Sequence, residues 1–266
     1  MGTEATDSSH TPFGTDRVAR RGERRPRQPL RLLLVGFLLL AAGCFAAPTP
    51  PPPSPSGPPF PGYPSIPPYS GSQCKTVLLI GDSIMTPVNN LGTVLQQSSR
   101  CANVINAAVN GTAPAGTLGG VNWSTRLQEL IDQHHPQIVV IQFVGNGFDG
   151  TNDAAWLSQL QSGIINLVDI AKVSGVPYVA IAPVAAPLAP NLVGMNQFIS
   201  WELNAIIPGA TKIDLNPYLA PGYQFTEFMT FPEGTRRVRN DFVHLSELGA
   251  FISGFVIAAA IAPEWT

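Results

Sequence analysis

The stretch that decides the fold is VLLIGDSIM, residues 77–85. Its first four residues are apolar, which is typical of a strand covered on both faces of a parallel sheet. Gly-Asp-Ser then ends the apolar run, so Ser83 stands in the turn that follows the strand. A serine at this place is either an ordinary turn residue or a nucleophile.

Apolar runs and helical patterns alternate along the rest of the chain. Buried strands are predicted at 76–80, 103–107, 137–144, 177–183 and 211–215. Helices are predicted at 87–98, 123–134, 152–173, 191–207 and 246–261, the first with Thr86 as N-cap and Pro87 as its first residue. The alternation predicts an α/β fold, a doubly wound three-layer α/β/α sandwich around a mainly parallel five-stranded sheet. Ligands of such sheets bind beyond the carboxyl ends of the strands.

The N-terminal part of the chain has a different composition. Residues 1–31 hold seven of the 15 Lys and Arg and few apolar residues, so we expect this basic region to be disordered. The apolar run 32–47 behind it predicts an export signal, either cleaved or retained as an N-terminal membrane anchor. Cys44 within the run is either a lipidation site or a small apolar residue of the signal. Residues 48–72 are Pro-rich and predict a stiff spacer, which would hold an exported domain away from a membrane or wall.

The remaining residues, 73–266, have the size of a single domain. They carry eight Lys and Arg against 13 Asp and Glu, a formal charge of −5. This balance argues against a nucleic-acid partner. We expect a monomer on the outer side of the cell membrane or in the wall, either secreted or anchored, with membrane contact only through the N-terminal segment. The one basic cluster, Arg236, Arg237 and Arg239, either meets an anionic or glycan substrate or is solvated.

Two cysteines of the domain have matching positions, because Cys74 and Cys101 each stand two residues before a predicted strand. If the two strands are parallel neighbours, both cysteines lie at the same end of the sheet, within disulfide reach. An exported domain favours the bridged form over two free buried thiols.

A nucleophilic Ser83 would need a general base, and His244 is the best candidate. It lies in NDFVHLSELG, residues 240–249, where Asp241 stands three residues upstream and could orient the imidazole. The adjacent His134 and His135 end a polar helix face and are predicted to be solvated.

The third requirement of acyl chemistry is a set of donors for the oxyanion. Gly111, in the loop 106–113 after the second strand, offers a backbone amide, and Asn146, in the loop 143–149 after the third, offers a side-chain amide. Each loop could instead need its glycine only for a left-handed backbone conformation.

In this order, Gly81-Asp82-Ser83, Gly111, Asn146 and Asp241-x-x-His244 resemble the motifs of the SGNH hydrolase superfamily, the GDSL-like lipases and esterases. The resemblance covers residues 73–266. The third motif departs from the usual Gly-x-Asn-Asp, since this chain has Val144-Gly145-Asn146-Gly147.

The resemblance implies a flavodoxin-like SGNH fold and a serine esterase without metal or cofactor. Ser83 would attack an ester carbonyl, His244 would act as base and Asp241 would orient it. The oxyanion hole would comprise the amides of Ser83 and Gly111 and the side chain of Asn146.

The substrate would be an acylated small molecule or a glycan or lipid of the cell envelope, with a short acyl chain. Two alternatives stay open: an O-acyltransferase on cell-wall glycans with the same residues, and a non-catalytic wall-binding module. Four residues are candidates for the walls of a substrate pocket, although ordinary core packing is the favoured interpretation of each: Trp123, Phe143, Phe148 and Met195.

Overall fold

The computed structural model describes residues 62–147, 154–184 and 193–265. The predictions for the basic region, the export signal with Cys44, and Phe148 lie outside these ranges, as does most of the Pro-rich spacer.

The core of the described part is a five-stranded sheet. Its strands are β1 (Cys74–Gly81), β2 (Cys101–Asn106), β3 (Ile138–Gln142), β4 (Tyr178–Ile181) and β5 (Thr211–Lys212). All neighbouring pairs are parallel and the order is β2-β1-β3-β4-β5. This confirms the predicted sheet, with β1 in the interior and its carboxyl end between those of β2 and β3.

The described residues also form six α-helices: α1 (Leu91–Gln97), α2 (Trp123–His134), α3 (Ala154–Val173), α4 (Val193–Asn204), α5 (Asn216–Leu219) and α6 (Glu247–Ile261). The prediction for the start of α1 is wrong. Asp82 O accepts hydrogen bonds from the amides of Met85 and Thr86, both 3.1 Å, so the chain makes a tight turn directly after β1. The hydroxyl of Thr86 also donates to Asp82 O, at 3.0 Å, instead of capping a helix.

Alternate residues of β1 build the two halves of the core. Val77 and Leu79 pack with α1 and α6, whereas Leu78 and Ile80 pack with α2 and α3. Burying each of these side chains contributes about 1.5–3 kcal/mol. The segment Glu247–Trp265, which contains α6, is long and apolar enough to cross a membrane, but 67% of its most apolar stretch is buried in this structure. Its apolarity is therefore accounted for by the core.

The described end of the Pro-rich segment packs on the domain. Tyr63 and Tyr69 contact the core on the side of α1 and α6. Arg100 donates to the carbonyl of Pro67 at 2.7 Å, and the amide of Tyr69 donates to Ser98 O at 3.0 Å. Contacts with the domain therefore begin before β1.

Cys74 and Cys101 are joined by a disulfide, as predicted. They are directly opposite in the register of β1 and β2, with their Cα atoms 4.5 Å apart. The bridge lies at the start of both strands, at the end of the sheet opposite to Ser83. It indicates that the chain folds in an oxidising compartment.

We expect the disulfide to be a structural element. Replacing both cysteines with serine frees a loop with a sequence separation of 27 residues and should lower the free energy of unfolding by about 3 kcal/mol. For a domain of this size the melting temperature would fall by roughly 10 °C. Thermal unfolding of the full-length chain measures this, with Cys44→Ser as the matched control. Two free thiols in the native protein, or an unchanged melting temperature, would contradict the expectation.

A hairpin that the sequence did not predict leads to His244. Strands β6 (Phe228–Phe231) and β7 (Gly234–Arg237) pair antiparallel within the long connection 218–241. Each strand has four residues, and most of their side chains are exposed. Because so few of these side chains are buried, the two strands lack the alternation of apolar and polar residues by which a half-buried strand is predicted.

Candidate active site

The turn that carries Ser83 is fixed by its neighbours at the carboxyl end of β1. Gly81 is required there, because a Cβ atom would lie 2.0 Å from the carbonyl oxygen of Gln142. The side-chain amide of Asn106, at the end of β2, donates to Met85 O at 3.0 Å and to Val88 O at 3.2 Å. The half-buried Ser83 is thereby held at the carboxyl end of the sheet, where parallel α/β folds bind ligands.

The polar groups of Ser83 are available to a ligand. Within residues 62–147, 154–184 and 193–265, neither its hydroxyl nor its backbone amide makes a hydrogen bond to the protein. The same holds for the backbone amide of Gly111, which lies on an exposed turn with a φ of +70°. Both amides are therefore free to donate a hydrogen bond to a ligand.

The carboxylate of Asp82 links the turn to the loop after β3. Its Oδ1 accepts from the amide of Ile84 at 3.1 Å, and its Oδ2 accepts from the amide of Val144 at 2.8 Å and from Asn146 Nδ2 at 3.1 Å. Complete burial raises the pKa of Asp82 to about 7, against the opposing effect of the Val144 and Ile84 donors and of the nearby His244. Asp82 is thus a structural centre of the site that the sequence showed only as part of Gly-Asp-Ser.

Asn146 connects this network to the loop after β2. Its Nδ2 donates both to Asp82 Oδ2 and, at 3.0 Å, to the carbonyl oxygen of Thr112, next to Gly111. Two acceptors on one side fix the orientation of the amide. Since both of its N–H groups are used, Asn146 would have to share one of them to contact an oxyanion.

A second buried carboxyl lies near Asp82. Burial, and then the charge of Asp82, raise the pKa of Glu202 in α4 well above its usual range, although Lys212 acts in the opposite direction. Among the described residues, Glu202 Oε2 has no hydrogen-bond partner. These effects favour the neutral form of Glu202.

Asp241 and His244 form the pair that the sequence predicted. Nδ1 of His244 lies 2.8 Å from Asp241 Oδ2, and the backbone amides of Val243 and His244 donate to Asp241 Oδ1 at 2.8 and 2.7 Å. Partial burial opposes ionisation of Asp241, but the hydrogen bonds from His244 and Val243 outweigh it and lower its pKa to about 2. The carboxylate therefore keeps the proton on Nδ1 and leaves Nε2 as the acceptor.

Ser83 and His244 are brought to the same region but are not hydrogen-bonded to each other in this structure. His244 is close enough to affect the ionisation of Asp82, the residue before Ser83. Its side chain is 48% exposed. Catalytic hydrogen bonds are often longer without substrate and shorten in the complex.

Two groups of residues differ from the sequence-based interpretation. Trp123, Phe143 and Met195 are buried in the core, so these three do not form pocket walls. The three arginines of 236–239 do not form one solvated or substrate-facing cluster. Arg237 pairs with Glu227 at 2.6 Å, and Arg239 is buried.

Three solved structures with a similar fold are those of an acylhydrolase, a lipolytic protein and an acetyltransferase domain. A protein assigned as an acylhydrolase from Bacteroides fragilis is 16% identical, with 75% of this chain and 91% of that chain covered and a TM-score of 0.52. A protein of the G-D-S-L lipolytic family from Desulfitobacterium hafniense is 19% identical, with coverage of 69% and 98% and a TM-score of 0.50.

The periplasmic domain of a lipopolysaccharide acetyltransferase from Salmonella ser. Paratyphi A is 14% identical, with coverage of 72% and 85% and a TM-score of 0.51. At these identities the likeness establishes the fold. No curated protein sequence matches this chain.

A family model described as a protein of unknown function, DUF459, matches residues 76–260, which span β1 to α6 apart from their outermost residues. The chain therefore belongs to the DUF459 family, and its fold is that of the GDSL and SGNH lipases and esterases.

Proposed function

We propose that this protein is a serine esterase of the cell envelope that hydrolyses short-chain acyl esters through Ser83, His244 and Asp241. The observation that carries the proposal is the Asp241–His244 pair, at 2.8 Å, near the turn that presents Ser83. The ionised Asp241 holds the imidazole of His244 in one orientation, as a general base requires. The fold shared with lipases and esterases supports the same conclusion.

Acylation begins when Ser83 Oγ attacks the ester carbonyl. Nε2 of His244 takes the hydroxyl proton, while Asp241 stabilises the imidazolium through the Nδ1–H bond. The oxyanion of the tetrahedral intermediate accepts from the amides of Ser83 and Gly111, with Asn146 as the third donor. His244 then protonates the leaving alcohol, and the acyl group remains on Ser83.

Deacylation repeats these steps with water in place of serine. His244 takes a proton from the water, the oxygen attacks the acyl-serine carbonyl, and the proton returns to Ser83 Oγ as the carboxylic acid leaves. A sugar hydroxyl in place of water would give acyl transfer. The similar fold of a lipopolysaccharide acetyltransferase domain supports transfer as the second candidate. A non-catalytic wall-binding module is the third candidate.

The substrate and location follow from the same features. The disulfide and the predicted export signal 32–47 support a location outside the cytoplasmic membrane, where acylated glycans and lipids of the envelope would be within reach.

A chain-length series tests the proposed activity. The full-length protein is assayed with 4-nitrophenyl acetate, butyrate, octanoate and dodecanoate, with and without a sugar acceptor such as an oligosaccharide of N-acetylglucosamine. We expect the highest kcat/KM for acetate and free acid as the product. A preference for chains longer than about eight carbons would contradict the short-chain assignment. Acylated sugar as the main product would establish the transferase, and no turnover would favour the binding module.

A further inference from the structure

Behind the loop that carries Asp241 and His244 lies an arginine with 1% exposure, Arg239. Arginine is almost never fully buried without partners, because removing its charge from water is costly. The backbone of Arg239 is held by an isolated antiparallel β-bridge to Leu245, on the far side of the loop. The loop 240–244 is therefore closed at its base by the residue that provides the buried charge.

The guanidinium of Arg239 reaches into this loop. Its Nη1 donates to the carbonyl oxygen of Val243 at 2.6 Å. This carbonyl and the amide of His244 form one peptide group, and the amide donates to Asp241 Oδ1 at 2.7 Å. The peptide group that determines the direction of the His244 side chain is thus held by the arginine from one side and by the catalytic carboxylate from the other.

The rest of the guanidinium is packed against an aromatic ring. Cζ of Arg239 lies 6.0 Å from the centre of the Phe225 ring, which in turn lies 6.4 Å from the ring of Phe242 in the same loop. Burial lowers the pKa of Arg239 to about 10, and the neighbouring Asp241 opposes the change. The side chain therefore stays charged at neutral pH, where a cation over a ring is favourable.

We propose that Arg239 is a positioning residue, whose buried guanidinium holds the Val243 carbonyl and thereby keeps the imidazole of His244 aligned with Asp241 and Ser83. This inference rests on the proposed function, since it assigns a role within the same site. The loop needs such support because the side chains of Asp241 and His244 are themselves 50% and 48% exposed. A loop with so much exposure is not fixed by core packing.

The role predicts a defined kinetic effect. A misplacement of about 1 Å at a reacting group can lower the rate by about 10²-fold. Arg239 is buried behind the loop, so we assign it no contact with the substrate, and its loss should lower kcat and leave KM nearly unchanged. A merely structural role would lower the melting temperature without changing kcat of the folded fraction.

The experiment compares the full-length wild type with Arg239→Met, Arg239→Lys and Arg236→Met. Arg236, on the exposed face of β7, is the matched control. We expect kcat for 4-nitrophenyl acetate to fall by about 30- to 100-fold in Arg239→Met and to be unchanged in Arg236→Met. In Arg239→Lys the activity should recover in part, because lysine keeps the charge but lacks the planar guanidinium. Wild-type kcat in both Arg239 variants would overturn the proposal. If Arg239→Met does not fold, Arg239→Lys decides, with a loss of about tenfold expected.

A second readout does not depend on turnover. In protein labelled with ¹⁵N-histidine, the proton shared by His244 Nδ1 and Asp241 gives its own NMR signal, assigned by its loss in His244→Gln. We expect this signal to disappear or broaden in Arg239→Met and to persist in Arg236→Met. An unchanged signal in Arg239→Met would contradict the positioning role. A wild type that hydrolyses no ester but shows the signal would refute the proposed function separately.

Discussion

Replacing Ser83 with alanine is expected to lower kcat for ester hydrolysis by at least about 10⁴-fold, because the proposed acyl-enzyme forms on its Oγ. The substitution removes one oxygen atom that makes no hydrogen bond within the described part of the protein. Folding should therefore be unaffected, and the melting temperature should stay within about 2 °C of wild type. Steady-state kinetics of the full-length protein with 4-nitrophenyl acetate measure the loss.

The matched control for this prediction is Ser158→Ala, which removes an exposed hydroxyl on α3. It should hydrolyse the ester at the wild-type rate. His244→Ala should lose activity to a similar degree as Ser83→Ala, and the double variant should be no worse than either single one, since the residues act as a unit. Wild-type turnover in Ser83→Ala would exclude the proposed nucleophile.

Asp241→Asn is expected to lower kcat by about 10⁴-fold while leaving the fold intact. An asparagine presents an amide where the carboxylate accepts the Nδ1 proton at 2.8 Å, so the imidazole would adopt the wrong tautomer and Nε2 would no longer accept the serine proton. Kinetics and circular dichroism of the full-length variant test this. Asp169→Asn, at an exposed position on α3, is the matched control and should be fully active.

The lowered pKa of Asp241 predicts how the stability of the fold depends on pH. The pKa of Asp241 in the folded protein is about 2, below its ordinary value near 3.9. A depressed carboxyl pKa stabilises the fold at pH values above the unfolded pKa, and this contribution is lost as the pH falls through the folded pKa. The stability difference between wild type and Asp241→Asn should shrink as the pH falls from about 5 towards 2, because protonation removes the charge of Asp241. A difference that stays constant over this range would contradict the lowered pKa.

The features that the sequence predicted correctly are those with local signals. Runs of buried Val, Leu and Ile marked β1, β3 and β4, and the predicted segments 103–107 and 211–215 overlap β2 and β5. The matching positions of Cys74 and Cys101 marked the disulfide. The three-residue spacing of Asp241 and His244 was sufficient to predict their contact, because one turn of chain brings both side chains to the same side.

The features that could not be predicted depend on contacts between distant segments. Pro87 predicts the start of a helix, but a hydrogen-bonded turn forms at Asp82 instead, and α1 begins only at Leu91. Arg239 reads as one of three surface charges, since nothing in its sequence neighbourhood shows that Phe225 and Val243 enclose it. In the same way, the link from Asp82 to Asn146 joins residues 64 positions apart and has no local signature.

The central claim is that Ser83 is an activated nucleophile, and covalent labelling tests it most directly. The full-length protein is treated with a fluorophosphonate, and the adduct is located by mass spectrometry of its peptides, with Ser83→Ala and His244→Ala alongside. The account predicts one adduct, on Ser83, that is absent from Ser83→Ala and strongly reduced in His244→Ala. A folded wild type without an adduct, or with an adduct on another serine, would contradict it.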